Sequence, residues 1–531
     1  MADGKMEKNG VIFTSQSHLP IPAFDPPQKP KKNKYALACS FLACMTSILL
    51  GYDIGVMSGA IIYIQKDLKI TDVQKEVVMG IFSLYSLIGS ALAGRISDRF
   101  GRRLTIVFAG AIFFVGALLM GLATNYAFLM IGRFVAGIGV GYALMIAPVY
   151  TAEVAPTSCR GFLLSFPEVF INIGILLGYV SNLAFSKLPT NLGWRFMLGV
   201  GTIPSLFLAT VIIFMPESPR WLVMQGRLAE AKRVLDKTSE SLDESKLRLI
   251  DIKEAAGIPE NCDDDVVSVP KQNRGDGVWR ELLLHPTPAV RHIILCGVGV
   301  HFFQQASGID SVVLYSPEIF QRAGIQNDTH KLLATMAVGF VKLCFTLVST
   351  FLLDKIGRRP LLLTSAAGCA FCLTGLAIGL TYIGNSDERL VWAVALCMAS
   401  ILCYVSVFAL GMGPITWVYS SEIFPLKLRA QGCAMGIASN RVTSSVISMT
   451  FISLSNAITI GGAFFLYAGV AAIAWVFFYT LYPETQGKTL EEMETYFGTF
   501  FKWRSTMMAL EEKKLESKGL IHVENSSIGP T

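Results

Sequence analysis

Long apolar runs alternate along the chain with short polar loops, and every second loop is rich in arginine and lysine. Counted at ~20 residues to a membrane-crossing helix, the runs predict twelve spans. The first six fall at 36–60, 77–97, 104–124, 127–150, 162–184 and 194–215. The second six fall at 290–314, 332–353, 361–383, 390–420, 431–454 and 462–482. Two loops then repeat between these sets. Asp98 to Arg103 reads DRFGRR and Asp354 to Arg359 reads DKIGRR, 256 residues further on, each just before an apolar run. Glu153 to Arg160 reads EVAPTSCR and Glu422 to Arg429 reads EIFPLKLR, each closing a run. Two similar halves of a polytopic membrane protein account for both echoes. The expected order is a polar tail at 1–35, a six-helix bundle at 36–215, a linker at 216–289, a second six-helix bundle at 290–482 and a tail at 483–531. Function is expected between the halves.

Composition agrees with an all-α polytopic membrane protein. Of the 531 residues, 52% are hydrophobic and only 16% charged, well below the charge content of a soluble domain. The formal charge of +6 does not point to nucleic acid, because the basic residues sit in short loops and form no continuous stripe. They set orientation instead. Lys29–Lys34, Arg95–Arg103, Arg160, Lys355–Arg359 and Lys427–Arg429 share one side if twelve spans alternate, and that side is expected to be the cytoplasm, with both termini there. The acceptor pattern Asn327-Asp328-Thr329 then falls outside, between the seventh and eighth spans. Most of the eleven cysteines, among them Cys39, Cys296, Cys344 and Cys403, lie inside apolar runs without metal-like pairing. The linker is helical in pattern from about Leu228 to Ala255, then acidic from Glu260 to Val266, with no nucleotide cradle and no paired histidines. Neither a metal nor a cofactor is expected, and no nucleophile–base set marks an enzyme.

Charge inside a membrane is costly, so each charged residue within a span needs a reason. Asp53 lies late in the first span and Arg133 opens the fourth. One reading is a structural ion pair. The other is a carboxylate that alternates between protonated and paired, since burial favours its neutral form and a guanidinium its charged form. The seventh span carries His301, Gln304, Gln305, Asp310 and Tyr315. Adjacent glutamines in an apolar helix need partners, and they suit a ligand with many hydroxyls because an amide both donates and accepts. Trp417 offers a flat apolar face to carbon–hydrogen surfaces, with a bulk-core role as the alternative. Asn440 and Arg441 are polar positions in span eleven, and Lys342 lies well inside span eight.

Seven motifs carry a family resemblance: GRISDRFGRR at 94–103, GRFVAGIGVG at 132–141, PESPRWL at 216–222, QQASGID at 304–310, DKIGRR at 354–359, GMGPITWVYSSEIFP at 411–425 and PETQGKTLEEME at 483–494. With these the chain resembles the major facilitator superfamily, in its sugar porter family. The stretch FLLSFPEVFINIGILLGYVSNLAF at 162–185 is most similar to plant polyol transporters, which are proton symporters of linear sugar alcohols. The resemblance implies a major facilitator fold and alternating access, with a small polyol or sugar and a proton as the partners besides the lipid bilayer. It favours the plasma membrane, and a single chain is expected to suffice. It implies proton coupling at Asp53 with Arg133, and substrate contacts at Gln304, Gln305, Trp417 and Asn440; Tyr315 of the seventh span is expected to join them. It places gating networks at Asp98, Arg102, Arg103, Glu153 and Arg160, and at Asp354, Arg358, Arg359, Glu422 and Arg429. Four positions depart from the hexose-carrier pattern: Glu168 and Asp310 stand for neutral amides, Lys342 for an asparagine and Arg441 for an aromatic residue. The expectation is mutual pairing of these charges around the cavity, with Glu168 and Asp310 also accepting substrate hydroxyls. A passive monosaccharide carrier of the same fold is the rival.

Overall fold

The computed structural model describes residues 33–155, 163, 165–259, 264–267, 282, 284, 286–386, 390–424 and 428–485. Their regular structure is helical. The first half runs α1 (Lys34–Met45), α2 (Ser47–Leu68), α3 (Asp72–Phe100), α4 (Arg102–Gly121), α5 (Tyr126–Val154), α6 (Phe166–Phe185), α7 (Thr190–Gly199) and α8 (Thr202–Ile212). The linker holds α9 (Pro219–Met224), α10 (Leu228–Thr238) and α11 (Leu242–Ala255). The second half runs α12 (Pro288–Ala306), α13 (Ile309–Leu314), α14 (Ser316–Arg322), α15 (Asp328–Ile356), α16 (Arg358–Gly384), α17 (Val391–Leu410), α18 (Met412–Ile423), α19 (Arg429–Ile458) and α20 (Ile460–Leu481).

Among the described residues, ten helical stretches are long and apolar enough to cross a membrane, and the chain is a multi-pass membrane protein. Pro288–Ala306 and Arg429–Ile458 are not among the ten, although each is 19 residues or longer. The reason is chemical. α12 carries His301, Gln304 and Gln305, and α19 carries Asn440, Arg441 and a series of serines, so the polar residues of the site dilute the apolar signal.

The first, seventh and tenth expected spans differ from the helices formed in ways that bear on the site. The first is also divided at Thr46, and the sixth at Val200 and Gly201. The first continues past residue 60 to Leu68, because the polar end is satisfied: Asp67 accepts from Trp194 Nε1 at 3.0 Å and from Arg195 at 3.2 Å. The seventh is broken. Gly308 sits at φ +86° between α12 and α13, and the Tyr467 ring lies 2.6 Å from where a Cβ would stand. The tenth is broken at Gly411, between α17 and α18.

The repeated loops adopt one geometry twice. Gly101 joins α3 to α4 at φ +97°, ψ 167°, and Gly357 joins α15 to α16 at φ +99°, ψ 163°. α2 packs on α6, α4 on α5 and α3 on α5 in the first half; α16 packs on α17 and α20, and α12 on α19, in the second. Between the halves α3 meets α19 and α6 meets α15.

The linker helices dock on the first half. Asn33 caps α1 with its carbonyl oxygen and donates from Nδ2 to Lys237 O and Ser239 O, both at 2.7 Å. Arg248 donates to the last carbonyls of α5, those of Glu153 and Val154, and to Ala155 O, at 3.2–3.4 Å. Trp221 Nε1 donates to Asp98 O at 3.0 Å.

Candidate functional site

A narrow cavity of about 50 Å³ opens where α2 and α6 face α12, α13, α15, α19 and the α17–α18 break. Glu168, Gln304, Gln305, Asp310, Lys342, Trp417 and Arg441 line it, together with apolar side chains that include Leu50 and Ile54 of α2. Glu168, Asp310, Lys342 and Arg441 thus share one cavity. Three come from the second half and only Glu168 from the first.

The two glutamines have different work. Gln304 Nε2 donates to Met412 O and Gly413 O, both at 3.0 Å, which ties α12 to the first turn of α18. Its Oε1 accepts from Asn440 Nδ2 at 2.8 Å. Gln305 donates to Asn440 Oδ1 at 3.3 Å, and its own Oε1 has no partner among the described residues. Asn440 is not on the cavity wall; it stands behind it, tying the glutamines to Arg441, which donates to Asn440 Oδ1 from Nη2 at 2.6 Å and Nε at 3.1 Å. Trp417 packs edge-on against His301 with ring centroids 5.2 Å apart. Asp310 accepts from the Ser444 hydroxyl, and Ser444 meets Ser83 of α3 at 3.0 Å. The expected direct pairing of charges is not formed: among the described residues Lys342 closes no ion pair with Glu168 or Asp310, although both act on it electrostatically. Tyr315 is not part of the lining. At the α13–α14 junction, it donates to Ser448 O at 2.6 Å and lies 4.9 Å from the Phe451 ring of α19.

Asp53 and Arg133 do meet. Arg133 Nη1 donates to both carboxylate oxygens at 2.9 and 2.7 Å, Nε donates to Val78 O at 3.1 Å, and the guanidinium lies 4.5 Å from the Phe82 ring centre. The side chains are 2% and 1% exposed, so the pair is desolvated and each charge depends on the other. Neither residue lines the cavity, but Leu50 and Ile54, beside Asp53 on α2, do.

At the basic end each half carries the same module. Arg102 bonds Glu153 at 3.1 Å and Asp98 at 3.0 Å, while Arg358 bonds Glu422 at 3.0 Å. Sequence reasoning missed the acid that anchors each. Glu217 accepts from the backbone N–H of Arg102 and Arg103 at 2.9 and 3.1 Å, and Glu484 from those of Arg358 and Arg359, both at 3.0 Å. The signal was present as PES at 216–218 and PET at 483–485. Burial pushes the Glu217 carboxyl above its usual range, and the N–H groups of Ser218, Arg103 and Arg102 pull it back. The side-chain contacts described for these modules stay within their own half. Arg160 lies outside the described residues, and of Asp354 and Arg429 only the helical backbone is described.

The polar bonds described between the halves lie along the cavity and toward the opposite end. Lys75 pairs with Glu318 at 2.6 Å, Glu76 accepts from Ser453 N and Oγ at 2.7 and 2.6 Å, and Lys66 meets Asp328 at 3.5 Å. Nothing in the sequence had marked Lys75 and Glu76, because charged residues at the edge of a span are ordinary.

Long apolar helices that are broken where they border a hydrogen-bonding cavity are the architecture of a membrane transporter. The family profile described as "Sugar (and other) transporter" matches residues 39–497, and the chain belongs to this family of the major facilitator superfamily. It is 64% identical over 482 residues to Polyol transporter 5 of Arabidopsis thaliana, covering 91% of this chain and 89% of the relative. It is 62% identical over 476 residues to Putative polyol transporter 1 of the same plant, covering 89% and 93%. The fold superposes on the proton:xylose symporter XylE bound to 6-bromo-6-deoxy-D-glucose with a TM-score of 0.73 at 29% identity, over 87% of this chain and 99% of that one.

Proposed function

We propose that this chain is a proton-coupled symporter of linear polyols of the sorbitol and mannitol type, and of some monosaccharides. Twelve spans in two six-helix bundles, 36–215 and 290–482, rock about the central cavity, so that substrate and proton enter from outside and leave to the cytosol. The linker 216–289 and both tails are cytoplasmic, the membrane is the plasma membrane, and one chain is the working unit. The observation that carries the substrate class is the cavity wall, in which amides and opposed charges face one space. Ionised carboxylates accept several hydroxyls at once and an ammonium donates three bonds, which suits a flexible chain of hydroxyls. The relatives named as polyol transporters support the same reading.

Asp53 supplies the coupling. Protonation removes the charge that holds Arg133, and the α2–α5 contact loosens; deprotonation restores it. One proton brings about 2.3 kcal/mol per 100 mV and about 1.4 kcal/mol per pH unit. Gln305, Glu168 and Asp310 face the substrate, Trp417 packs against its carbon–hydrogen face, Gln304 and Asn440 hold that wall, and Arg441 and Lys342 balance its acids. Asp98, Arg102, Arg103, Glu153 and Arg160, with Asp354, Arg358, Arg359, Glu422 and Arg429, steady the cytoplasmic ends of the bundles. Tyr315 acts from the outer end and not as a substrate contact.

The two-point Asp53–Arg133 contact also favours a second reading, a purely structural pair in a passive carrier. Substrate-induced current across a panel of polyols and sugars, at two external pH values, separates the two. Sorbitol or mannitol current that grows at the lower pH and vanishes in Asp53→Asn supports the symporter. Uptake without current in the unmodified protein supports the passive carrier.

A further inference from the structure

Lys342 is 6% exposed, yet among the described residues its ammonium has neither a hydrogen-bond nor an ion-pair partner, and it opens on the cavity. Glu168, 9% exposed, opens on the same space from the other half. Two opposite charges in a shared low-dielectric space attract strongly and are expected to close on each other. One hydrogen bond joins their two helices close by. Asn172, one turn after Glu168 on α6, donates from Nδ2 to Thr346 Oγ1 at 2.9 Å, and Thr346 lies one turn after Lys342 on α15. Because α6 and α15 run antiparallel here, Glu168 sits to one side of this bond and Lys342 to the other. The Thr346 hydroxyl donates to the Lys342 carbonyl at 2.9 Å, so it must accept from Asn172, which fixes the amide's orientation. Asn172 and Glu168, four residues apart on α6, share one face of that helix. Arg441 is already engaged by Asn440 Oδ1.

We propose that the Asn172–Thr346 bond is a positioning element of the cavity: it keeps Glu168 and Lys342 from pairing directly, so that they meet through the hydroxyls of the ligand. This rests on the polyol reading for the identity of the ligand and not for the geometry. Removing the amide leaves Glu168 free to swing onto Lys342, and the closed ion pair then competes with substrate.

The test is a double-mutant cycle of Asn172→Ala and Lys342→Met in purified full-length protein, read as labelled-sorbitol affinity and as melting temperature without ligand. Asn172→Ala is expected to weaken sorbitol binding about tenfold, because the closed ion pair must open before the ligand can enter. It should change affinity less than about twofold when Lys342 is already methionine. Without ligand, Lys342→Met should lower the melting temperature more in the Asn172→Ala background, where it breaks a closed ion pair. Thr346→Ser should behave as the unmodified protein, while Thr346→Val should weaken binding. Unchanged sorbitol affinity in Asn172→Ala, or strictly additive melting temperatures, overturns the proposal. If the unmodified protein binds no polyol or sugar, the substrate reading falls, and the ligand-free melting cycle still decides the role of Asn172.

Discussion

Gln304 and Gln305 read alike in the sequence, as two costly amides in an apolar helix, and the structure separates them. Gln304 spends its donors on Met412 O and Gly413 O and accepts from Asn440 Nδ2, so Gln304→Ala unties α12 from α18 and α19 and is expected to destabilise the protein by about 1–3 kcal/mol. Gln305 keeps a buried oxygen without a partner on the cavity wall, so Gln305→Ala should weaken substrate binding with a smaller loss of stability. Thermal unfolding and substrate affinity of the two variants check the division; equal effects on both readouts would refute it. Asp53→Asn leaves Arg133 with a neutral partner. It is expected to abolish substrate-driven proton uptake while sparing counterflow exchange, measured as external alkalinisation and as tracer exchange. The Asp53–Arg133 contact was legible because a charge inside an apolar run is costly without a partner, and the first four runs offered one acid and, away from the basic loops, one base. The second duty of Gln304 was not, because it answers a helix break that periodicity does not reveal.

The helices themselves were legible in their apolar cores and less so at their breaks. Runs 290–314 and 390–420 read as continuous spans, and Gly308 and Gly411 interrupt them at the cavity. Glycine is common in membrane helices, so neither one stood out. The repeated loops tell a clearer story. Gly101 and Gly357 hold a backbone region open almost only to glycine, and a Cβ on Gly101 would stand 2.4 Å from Glu217 Oε2. Gly101→Ala and Gly357→Ala are each expected to cost about 1–3 kcal/mol by backbone strain. Gly384→Ala, with no neighbour within 4 Å of the added carbon, should cost far less. Melting temperatures of the three purified variants test the ordering.

Across the whole molecule, the described bonds between the halves lie along the cavity and at the end opposite the basic loops. Lys75 and Glu318 carry side chains 10% and 22% exposed, so their ion pair is partly shielded from solvent. Lys75→Glu or Glu318→Lys should weaken closure at that end by about 1 kcal/mol, and the exchanged pair Lys75→Glu with Glu318→Lys should restore it. Labelling of a cysteine placed at Gln305, by a membrane-impermeant reagent applied from that side, reads the opening directly. No recovery in the exchanged pair would remove the latch role. The docking of the linker has another outcome. The contacts described for residues 218–267 run to the first half, through Asn33, Arg248 and Trp221, and Leu282 already packs with Val290 and Leu428 of the second. The polypeptide therefore has a seam. Cut between 268 and 281 and expressed as two pieces in one cell, the chain should reassemble into a working carrier. A cut inside α10 or α11 should not, since it would divide a folded unit between two molecules.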